Sequence, residues 1–171
     1  MDIVDCILAD HDRQRRWFAA LDEARDDLES AGKIFNRLRD HLEAHAMAEE
    51  TYFYPTLLKL GKGALDSESA DETTEDAIDD HNKIANAADA ALNEEVGSDA
   101  WWKCVDKANY QNSAHLSEEE RQGLTDFRRR VPLEKRIALG LKYLAFEADH
   151  VTNVEREEKD PDAYIKENED A

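Results

Sequence analysis

Apolar residues recur three and four positions apart through most of this chain, and no stretch shows the strict alternation of a half-buried strand. Such spacing puts apolar side chains on one face of a helix. Helix-breaking residues are scarce, with 6 Gly and 3 Pro in 171 residues, so long helices are expected. The pattern predicts helices over about residues 2–30, 34–60, 74–95, 100–130 and 132–158.

The few breakers suggest where these helices end. Gly32 is predicted to end the first helix, Pro55 to kink or shorten the second, and Gly123 to bend the fourth. Pro132 is predicted to open the fifth. Long helices joined by short links predict an all-α protein, built as an up-down-up-down four-helix bundle with an additional C-terminal helix.

The domain organisation follows from these segments. We expect the bundle to occupy residues 1–130, an accessory helix packed on it to occupy 131–160, and a frayed polar tail to occupy 161–171. The apolar face of the accessory helix is expected to face the bundle; it carries Leu133, Ile137, Leu141, Leu144, Ala148 and Val151. The opposite face is expected to be solvated; it carries Arg136, Tyr143, Glu147 and His150.

Four histidines and two glutamates form an internal repeat. The first copy contains His11, His45 and Glu49, and the second contains His81, His115 and Glu119. In each copy the second histidine follows the first by 34 positions, and the glutamate follows that histidine by four. An offset of 70 positions therefore superposes the two copies, which chance rarely produces.

Together with helix geometry, this repeat predicts a metal centre. Residues four apart lie on the same side of a helix, so each histidine–glutamate pair points at one place, and each falls on an apolar stripe. Buried carboxylates without partners are costly, and two cations would supply the partner charge. Each copy is predicted to supply the histidines of one metal, while Glu49 and Glu119 bridge the pair. Mixed imidazole and carboxylate ligands without thiolates suit iron, manganese or zinc.

The same residues resemble the hemerythrin family, in particular its bacterial HHE cation-binding branch. Four segments carry the resemblance: Asp10-His11, the run HAMAEETYFYP at 45–55, the DDH ending at His81, and HLSEEE at 115–120. It covers roughly residues 3–130. The resemblance implies a four-helix bundle with a non-heme di-iron centre that reacts with oxygen or related small molecules.

Two departures from the oxygen-carrying members bear on function. Those proteins have a fifth histidine one turn before the position of His81, where this chain has Ala77. They also place an acidic ligand at the position of Glu120, whereas the internal symmetry favours Glu119. The missing imidazole favours turnover over oxygen carriage, as in hemerythrin-like proteins with fewer histidines that handle peroxide or nitric oxide.

Three functional hypotheses remain open at this point. The first is a di-iron oxidoreductase acting on peroxide, nitric oxide or oxygen, and the second is reversible oxygen or nitric oxide binding, sensing, or iron storage. The third is a structural role for the metals, with zinc as the candidate. No sequence feature separates the first two.

Charge and composition restrict the partners and the compartment. With 22 Lys plus Arg against 41 Asp plus Glu, the net charge is −19, which argues against nucleic acid and anionic membranes as partners. No apolar run is long enough for a spanning helix, and the acidic first residues do not resemble a signal peptide. Two distant cysteines fit a cytoplasmic protein. An exposed tryptophan of the Trp101-Trp102 pair could mark a homodimer contact.

For several residues near the motifs, an ordinary structural role competes with a role in the metal site. His41 could be a spare ligand, but an outer or surface role is favoured because its symmetry mate is Gln111. Asp10 and Asp80 are expected to be helix-surface charges, since they point about 100° away from the adjacent histidines. Tyr52, one turn after Glu49, could donate a hydrogen bond into the site.

Overall fold

The structure is a computed structural model that describes residues 1–64 and 69–169. Its helices are α1 Ile3–Glu23, α2 Leu28–Ala48, α3 Tyr54–Leu60, α4 Ala70–Ala91, α5 Asp99–Arg121, α6 Gly123–Arg130, α7 Leu133–Asp149 and α8 Pro161–Glu169. A π-helical turn, Glu49–Phe53, joins α2 to α3. The described residues contain no strand, which confirms the all-α prediction. No helix among them is long and apolar enough to cross a membrane.

Helices α1, α2, α4 and α5 form the predicted bundle. His11 of α1 lies against His45 of α2, with ring centroids 5.2 Å apart. Trp17, later in α1, lies against His41 and Arg37, earlier in α2, so the two helices run antiparallel. The corresponding residues of α4 and α5, His81 and His115, have centroids 4.7 Å apart. The sequence repeat is therefore also a structural repeat of two helical pairs.

Two apolar clusters fill the bundle on either side of these histidines. The first includes Phe18, Leu21, Phe35, Leu38, Ile84, Trp101 and Val105. The second includes Ile3, Ile7, Ala48, Phe53, Leu57, Ile78, Leu124 and Phe127. Along each of the four bundle helices, the motif histidine separates residues of one cluster from residues of the other or from the end of the bundle. A layer of polar side chains thus lies between two apolar layers of the bundle core.

The link between α1 and α2 differs from the prediction. Helix α1 ends at Glu23, and the side chain of Asp27 caps α2 by accepting a hydrogen bond from the backbone N–H of Ser30 at 3.1 Å. Gly32, predicted to be the break, lies inside α2. A side-chain cap therefore sets this boundary, because it satisfies backbone donors that a new helix leaves free.

Regular α-helical geometry is interrupted at or shortly after each motif glutamate. The kink predicted near Pro55 corresponds to the π-helical turn that begins at Glu49, and Pro55 itself lies at the start of α3, directly after that turn. In the second copy, α5 and α6 are separated at Gln122, next to the bend predicted at Gly123. Such interruptions re-aim side chains at functional sites.

Helix α7 packs with the face opposite to the one predicted. The residues expected to be inward are exposed: Leu133, Ile137, Leu141, Leu144 and Val151. Gly140 and Tyr143 are buried instead, and a Cβ at Gly140 would lie 2.4 Å from the backbone oxygen of Met1. Close backbone approach and specific hydrogen bonds of Tyr143 therefore outweigh the larger apolar face.

The segment predicted to be a polar tail contains helix α8. Asp160 caps it by accepting from the backbone N–H of Ala163 at 2.9 Å, and Pro161 occupies the first turn. Tyr164 is buried, and its hydroxyl donates to the backbone oxygen of Glu50 at 2.5 Å. This segment is therefore anchored to the π-helical turn beside the predicted centre.

Candidate metal centre

The six predicted ligands meet in the polar layer of the bundle. They are His11, His45, Glu49, His81, His115 and Glu119, and each is at most 3 % exposed. Each imidazole presents Nε2 toward the group. The structure therefore brings the predicted residues together from four different helices and the π-helical turn.

Glu49 lies between the two halves of the centre. Its Oε1 is 3.2 Å from Nε2 of His45 and 3.9 Å from Nε2 of His11. Its Oε2 is 3.3 Å from Nε2 of His81. One oxygen thus faces each half, which is the arrangement a bridging carboxylate requires.

Glu119 occupies a less symmetric position. Its Oε2 is 3.1 Å from Nε2 of His11, while its Oε1 accepts a hydrogen bond from the Tyr54 hydroxyl at 2.5 Å. In the second half, the Nε2 atoms of His81 and His115 are 3.2 Å apart. The neighbouring Glu120 lies outside this ring and contacts the other nitrogen of His11.

The chemistry of this donor set fits cations. Nε2 of His11, Nε2 of His45, both oxygens of Glu49 and Oε2 of Glu119 are buried, and no described group outside the centre hydrogen-bonds to them; they face only other members of the ligand set. Buried polar atoms normally have partners, and imidazole nitrogens facing carboxylate oxygens form the ligand set of iron, manganese or zinc. One cluster is His11, His45 and Glu49, and the other is Glu49, His81 and His115; in each, the ligand atoms lie within 4.8 Å of one another.

Burial prepares these groups for metal binding. It lowers the pKa of His45 far below its usual range and that of His115 to about 3, so both rings are neutral and carry a free lone pair. Burial, followed by the charge of Glu119, raises the pKa of Glu49 well above its usual range. A carboxylate in this position needs a positive partner, which a cation supplies.

The sequence model of the hemerythrin HHE cation-binding domain matches residues 2–127. This chain belongs to the hemerythrin HHE family. The match covers α1 to α5 and most of α6. It makes the bundle a cation-binding helical domain, in agreement with the resemblance of the four sequence segments. Comparisons with curated proteins and with solved structures gave no match.

The internal symmetry of the HHE domain extends to the groups behind two of the histidines. Nδ1 of His11 lies 2.9 Å from Oε1 of Glu120, and Nδ1 of His81 lies 2.9 Å from Oε1 of Glu50. Glu120 directly follows Glu119 of the second copy but contacts a histidine of the first. Glu50 directly follows Glu49 of the first copy but contacts a histidine of the second. Such contacts fix the orientation of a ligand imidazole and raise its basicity.

The other two histidines break the symmetry. Nδ1 of His45 is 3.9 Å from Asp10, and Nδ1 of His115 is 3.9 Å from Asp80. In the first half only, the Tyr143 hydroxyl joins the pair, 2.7 Å from Nδ1 of His45 and 3.0 Å from Oδ2 of Asp10. Asp10 is 2 % exposed, so the expectation of a surface charge is wrong for this residue.

Residues beyond the matched HHE segment also clamp Glu50. Arg156 donates to its Oε1 at 2.7 and 2.9 Å, and Lys159 donates to its Oε2 at 2.6 Å. Burial alone would raise the pKa of Glu50, but the hydrogen bond from His81 and the guanidinium of Arg156 lower it to about 2. Glu50 therefore stays ionised behind His81.

A tyrosine does point into the centre, but it is Tyr54 and not Tyr52. The ring of Tyr52 packs on Phe146, with centroids 6.0 Å apart, whereas the buried Tyr54 reaches Glu119. The π-helical turn shifts the helical phase after Glu49, so one-turn spacing no longer identifies the inward residue. Regular periodicity in the sequence carries no signal for this shift.

Two small cavities border the second half of the centre. One, of about 10 Å³, is lined by His45, His81, His115 and Glu43, whose carboxyl oxygen Oε2 has no partner. The other, also about 10 Å³, is lined by Ala77, Tyr54, His115 and Glu119. Each volume holds about one water-sized molecule. The second cavity lies at Ala77, the position where the family resemblance placed the missing imidazole.

The remaining histidines lie outside the centre. His41 is 2 % exposed, so it is not a surface residue, and it contacts Asp10 and Glu147 instead of the motif carboxylates. His150 stacks on Phe146, with centroids 3.9 Å apart. Glu147 turns inward toward His41, against the expectation that this face of α7 is solvated.

Proposed function

We propose that this HHE domain holds two iron ions and carries out redox chemistry on a small molecule: peroxide, nitric oxide or oxygen. One observation carries the proposal. Ligand atoms of two imidazoles and two carboxylates are buried without outside partners in the described chain, the Nε2 atoms of the other two imidazoles face each other at 3.2 Å, and a water-sized cavity at Ala77 adjoins the group. Metal binding accounts for the unpartnered atoms, and the cavity gives a substrate its place.

Each copy of the repeat would provide the two histidines of one iron position. Glu49 presents one oxygen to each position, and Glu119 adds an oxygen beside His11. When bound, an iron pair supplies electrons and Lewis acidity that no side chain here can supply. The protein fixes the two positions, keeps the imidazoles of His45 and His115 neutral and buries the ligand set.

The cavity at Ala77 selects for small molecules. The alanine methyl group cannot reach the centre, so the place of a fifth imidazole is left to a molecule about the size of one water. The Tyr54 hydroxyl borders this cavity and is 2.5 Å from Oε1 of Glu119. A bound peroxide would therefore meet a phenol and a carboxylate that can both hydrogen-bond to it, whereas nitric oxide, which has no proton, could only accept from the phenol.

The second cavity supports turnover over simple binding. Glu43 lines it, is 3 % exposed, and has a carboxyl oxygen without a partner. Reduction of peroxide or nitric oxide consumes protons, whereas reversible binding of a neutral molecule consumes none. A carboxyl group that lines the same cavity as three ligand histidines is placed to pass protons through it.

Reversible oxygen or nitric oxide binding is the second candidate. The complete burial of the ligand set favours it, because an enclosed pocket protects a bound gas from water and from competing reactions. Both candidates use the same metals and the same cavities, so kinetics must separate them.

The test is metal content followed by turnover. The anaerobically purified protein should contain two iron ions per chain and consume many equivalents of peroxide or nitric oxide with a reductant present. A reversible, oxygen-dependent absorption band without turnover would instead establish the binding function. Recovery of zinc alone from iron-replete cells would reject both. The same measurements on His115→Ala test a proposed ligand. His150→Ala is its matched control, because His150 lies outside the centre.

A further inference from the structure

A second group of ligand-type side chains meets where α7 crosses α1 and α2. It contains Asp10, His41 and Glu147, with one ligand atom from each within 4.8 Å of the others. Nε2 of His41 is 3.8 Å from Oδ1 of Asp10, and its Nδ1 is 3.9 Å from Oε1 of Glu147. Both separations are too long for direct hydrogen bonds. One ion binds only one of the two imidazole nitrogens, and Nε2, which is buried without a partner, is the candidate ligand atom.

His41 is the observation that points to a ligand. Its side chain is 3 % exposed, and Nε2 is buried without a hydrogen-bond partner while it faces Asp10. Burial, with the charges of Arg13 and Arg37, lowers the pKa of this imidazole to about 4. The ring is therefore neutral, with a nitrogen lone pair free to bind a metal.

We propose that Asp10, His41 and Glu147 form an auxiliary site for a divalent cation, separate from the di-iron centre. One imidazole nitrogen and two carboxylates suit zinc, ferrous iron or manganese. The site requires α7, which lies beyond the segment matched by the HHE family. It stands whether or not the bundle centre performs redox chemistry.

The surrounding charges are compatible with this site. Arg13 donates to Oδ1 of Asp10 at 2.8 Å, but its side chain is 47 % exposed and can turn to solvent. Arg37 is engaged elsewhere, donating to the backbone oxygen of Val151 at 2.5 Å. Burial, followed by the charge of Asp10, raises the pKa of Glu147 to about 8. A cation would take the place of the proton that this carboxyl otherwise keeps near neutral pH.

The auxiliary site is also connected to the di-iron centre. Oδ2 of Asp10 accepts a hydrogen bond from the Tyr143 hydroxyl, and that hydroxyl contacts Nδ1 of His45. A cation bound to Asp10 would draw electron density from this chain. The auxiliary ion is therefore positioned to influence the basicity of a ligand imidazole.

The experiment counts zinc and iron separately. Iron-loaded protein is titrated anaerobically with Zn²⁺, desalted and analysed by mass spectrometry of the metals. Wild type should bind one zinc and keep two irons. Glu147→Gln should lose at least 10-fold in zinc affinity and keep both irons. His41→Gln should give the same result, and it serves as the second variant in case Glu147→Gln folds poorly. Glu134→Gln, an exposed change on α7, should bind zinc as wild type does.

The two metal counts keep the outcomes distinct. Equal zinc affinity in wild type, Glu147→Gln and His41→Gln would overturn the auxiliary site, as would zinc uptake that only replaces iron. An iron count other than two would contradict the proposed di-iron centre. In that case the zinc difference between Glu147→Gln and Glu134→Gln would still decide the auxiliary site.

Discussion

The hydroxyl of Tyr143 lies 2.7 Å from Nδ1 of His45. Tyr143 belongs to α7, outside the segment that matches the HHE family, while His45 belongs to its core motif. The same hydroxyl contacts Asp10, and no tyrosine occupies the corresponding place between His115 and Asp80 in the described chain. An accessory helix therefore makes the two halves of a symmetric centre unequal.

Removing this hydroxyl should weaken one metal position. Tyr143→Phe leaves Nδ1 of His45 without its partner, and loss of such a contact typically lowers metal affinity ~10- to 100-fold. Chelator competition should show one iron released more readily and the other unchanged. Tyr110→Phe, at a side chain that is 78 % exposed, is the control. Equal weakening of both irons would contradict this assignment.

The clamp on Glu50 should contribute to stability mainly through Arg156. Arg156 and Glu50 are almost fully buried, and removing one partner of such a pair costs ~3–5 kcal/mol. Arg156→Met should therefore lower the free energy of unfolding, measured by denaturant titration, toward the lower end of that range because Lys159 remains. Lys159 is 37 % exposed, so Lys159→Met should cost ~0–1 kcal/mol.

A double-variant cycle checks that this effect belongs to the ion pair. Glu50→Gln with Arg156→Met removes both charges, so it should destabilise the protein less than the sum of the two single changes. Additive effects would show that Arg156 stabilises the fold through its other contact, to Asn82 at 3.0 Å.

The sequence predicted the proposed ligands better than it predicted the residues that contact them. His11 and His81 were found because a 70-residue repeat and helical spacing are both visible in one chain. Glu50 and Glu120 follow the same repeat and could have been found by extending it by one position. Tyr54 could not, because the π-helical turn changes the helical phase without a pattern in the residue types.

The orientation of α7 shows the limit of counting apolar residues. Leu141 is 72 % exposed, while Tyr143, two positions away, is fully buried. The buried face is determined by the close approach at Gly140 and by long-range hydrogen bonds that only the folded bundle provides. Tertiary contacts of this kind leave no periodic signal in the helix that makes them.

Each half of the repeat should hold one metal independently. His45→Ala and His115→Ala each remove a ligand nitrogen from a different position. Each variant should therefore retain one iron and have a lower melting temperature than wild type, because bound metal stabilises the folded state. His150→Ala should retain both irons. Two irons in either ligand variant would refute the assignment of that histidine.

Glu147 should make stability depend on pH. Its pKa of about 8 in the folded chain is above the ordinary 4.5, so its stabilising contribution is complete below pH 4.5 and is lost as pH rises through 8. Glu147→Gln imitates the protonated group, so its melting temperature relative to wild type should rise between pH 5 and pH 8.5. Each 1 kcal/mol corresponds to ~2–4 °C. Zinc-free buffer is required, and a constant difference would contradict the prediction.

Filling the two cavities one at a time should show which one receives the substrate. Ala77→Val adds two methyl groups to a space of about 10 Å³ beside Tyr54 and Glu119. Ala85→Val narrows the cavity that Glu43 lines. Both changes keep a helical residue in α4 and leave every proposed ligand in place, so each variant should still bind two irons.

The expected result is loss of turnover only where the substrate binds. Ala77→Val should lower kcat/KM for peroxide by at least 10-fold, because the two added methyl groups fill the space that the substrate would enter. Ala85→Val should stay within about 3-fold of wild type. If the effects are reversed, the substrate binds beside Glu43 and the cavity at Ala77 is only a packing gap. If both variants retain full activity with two irons bound, neither cavity is the substrate site.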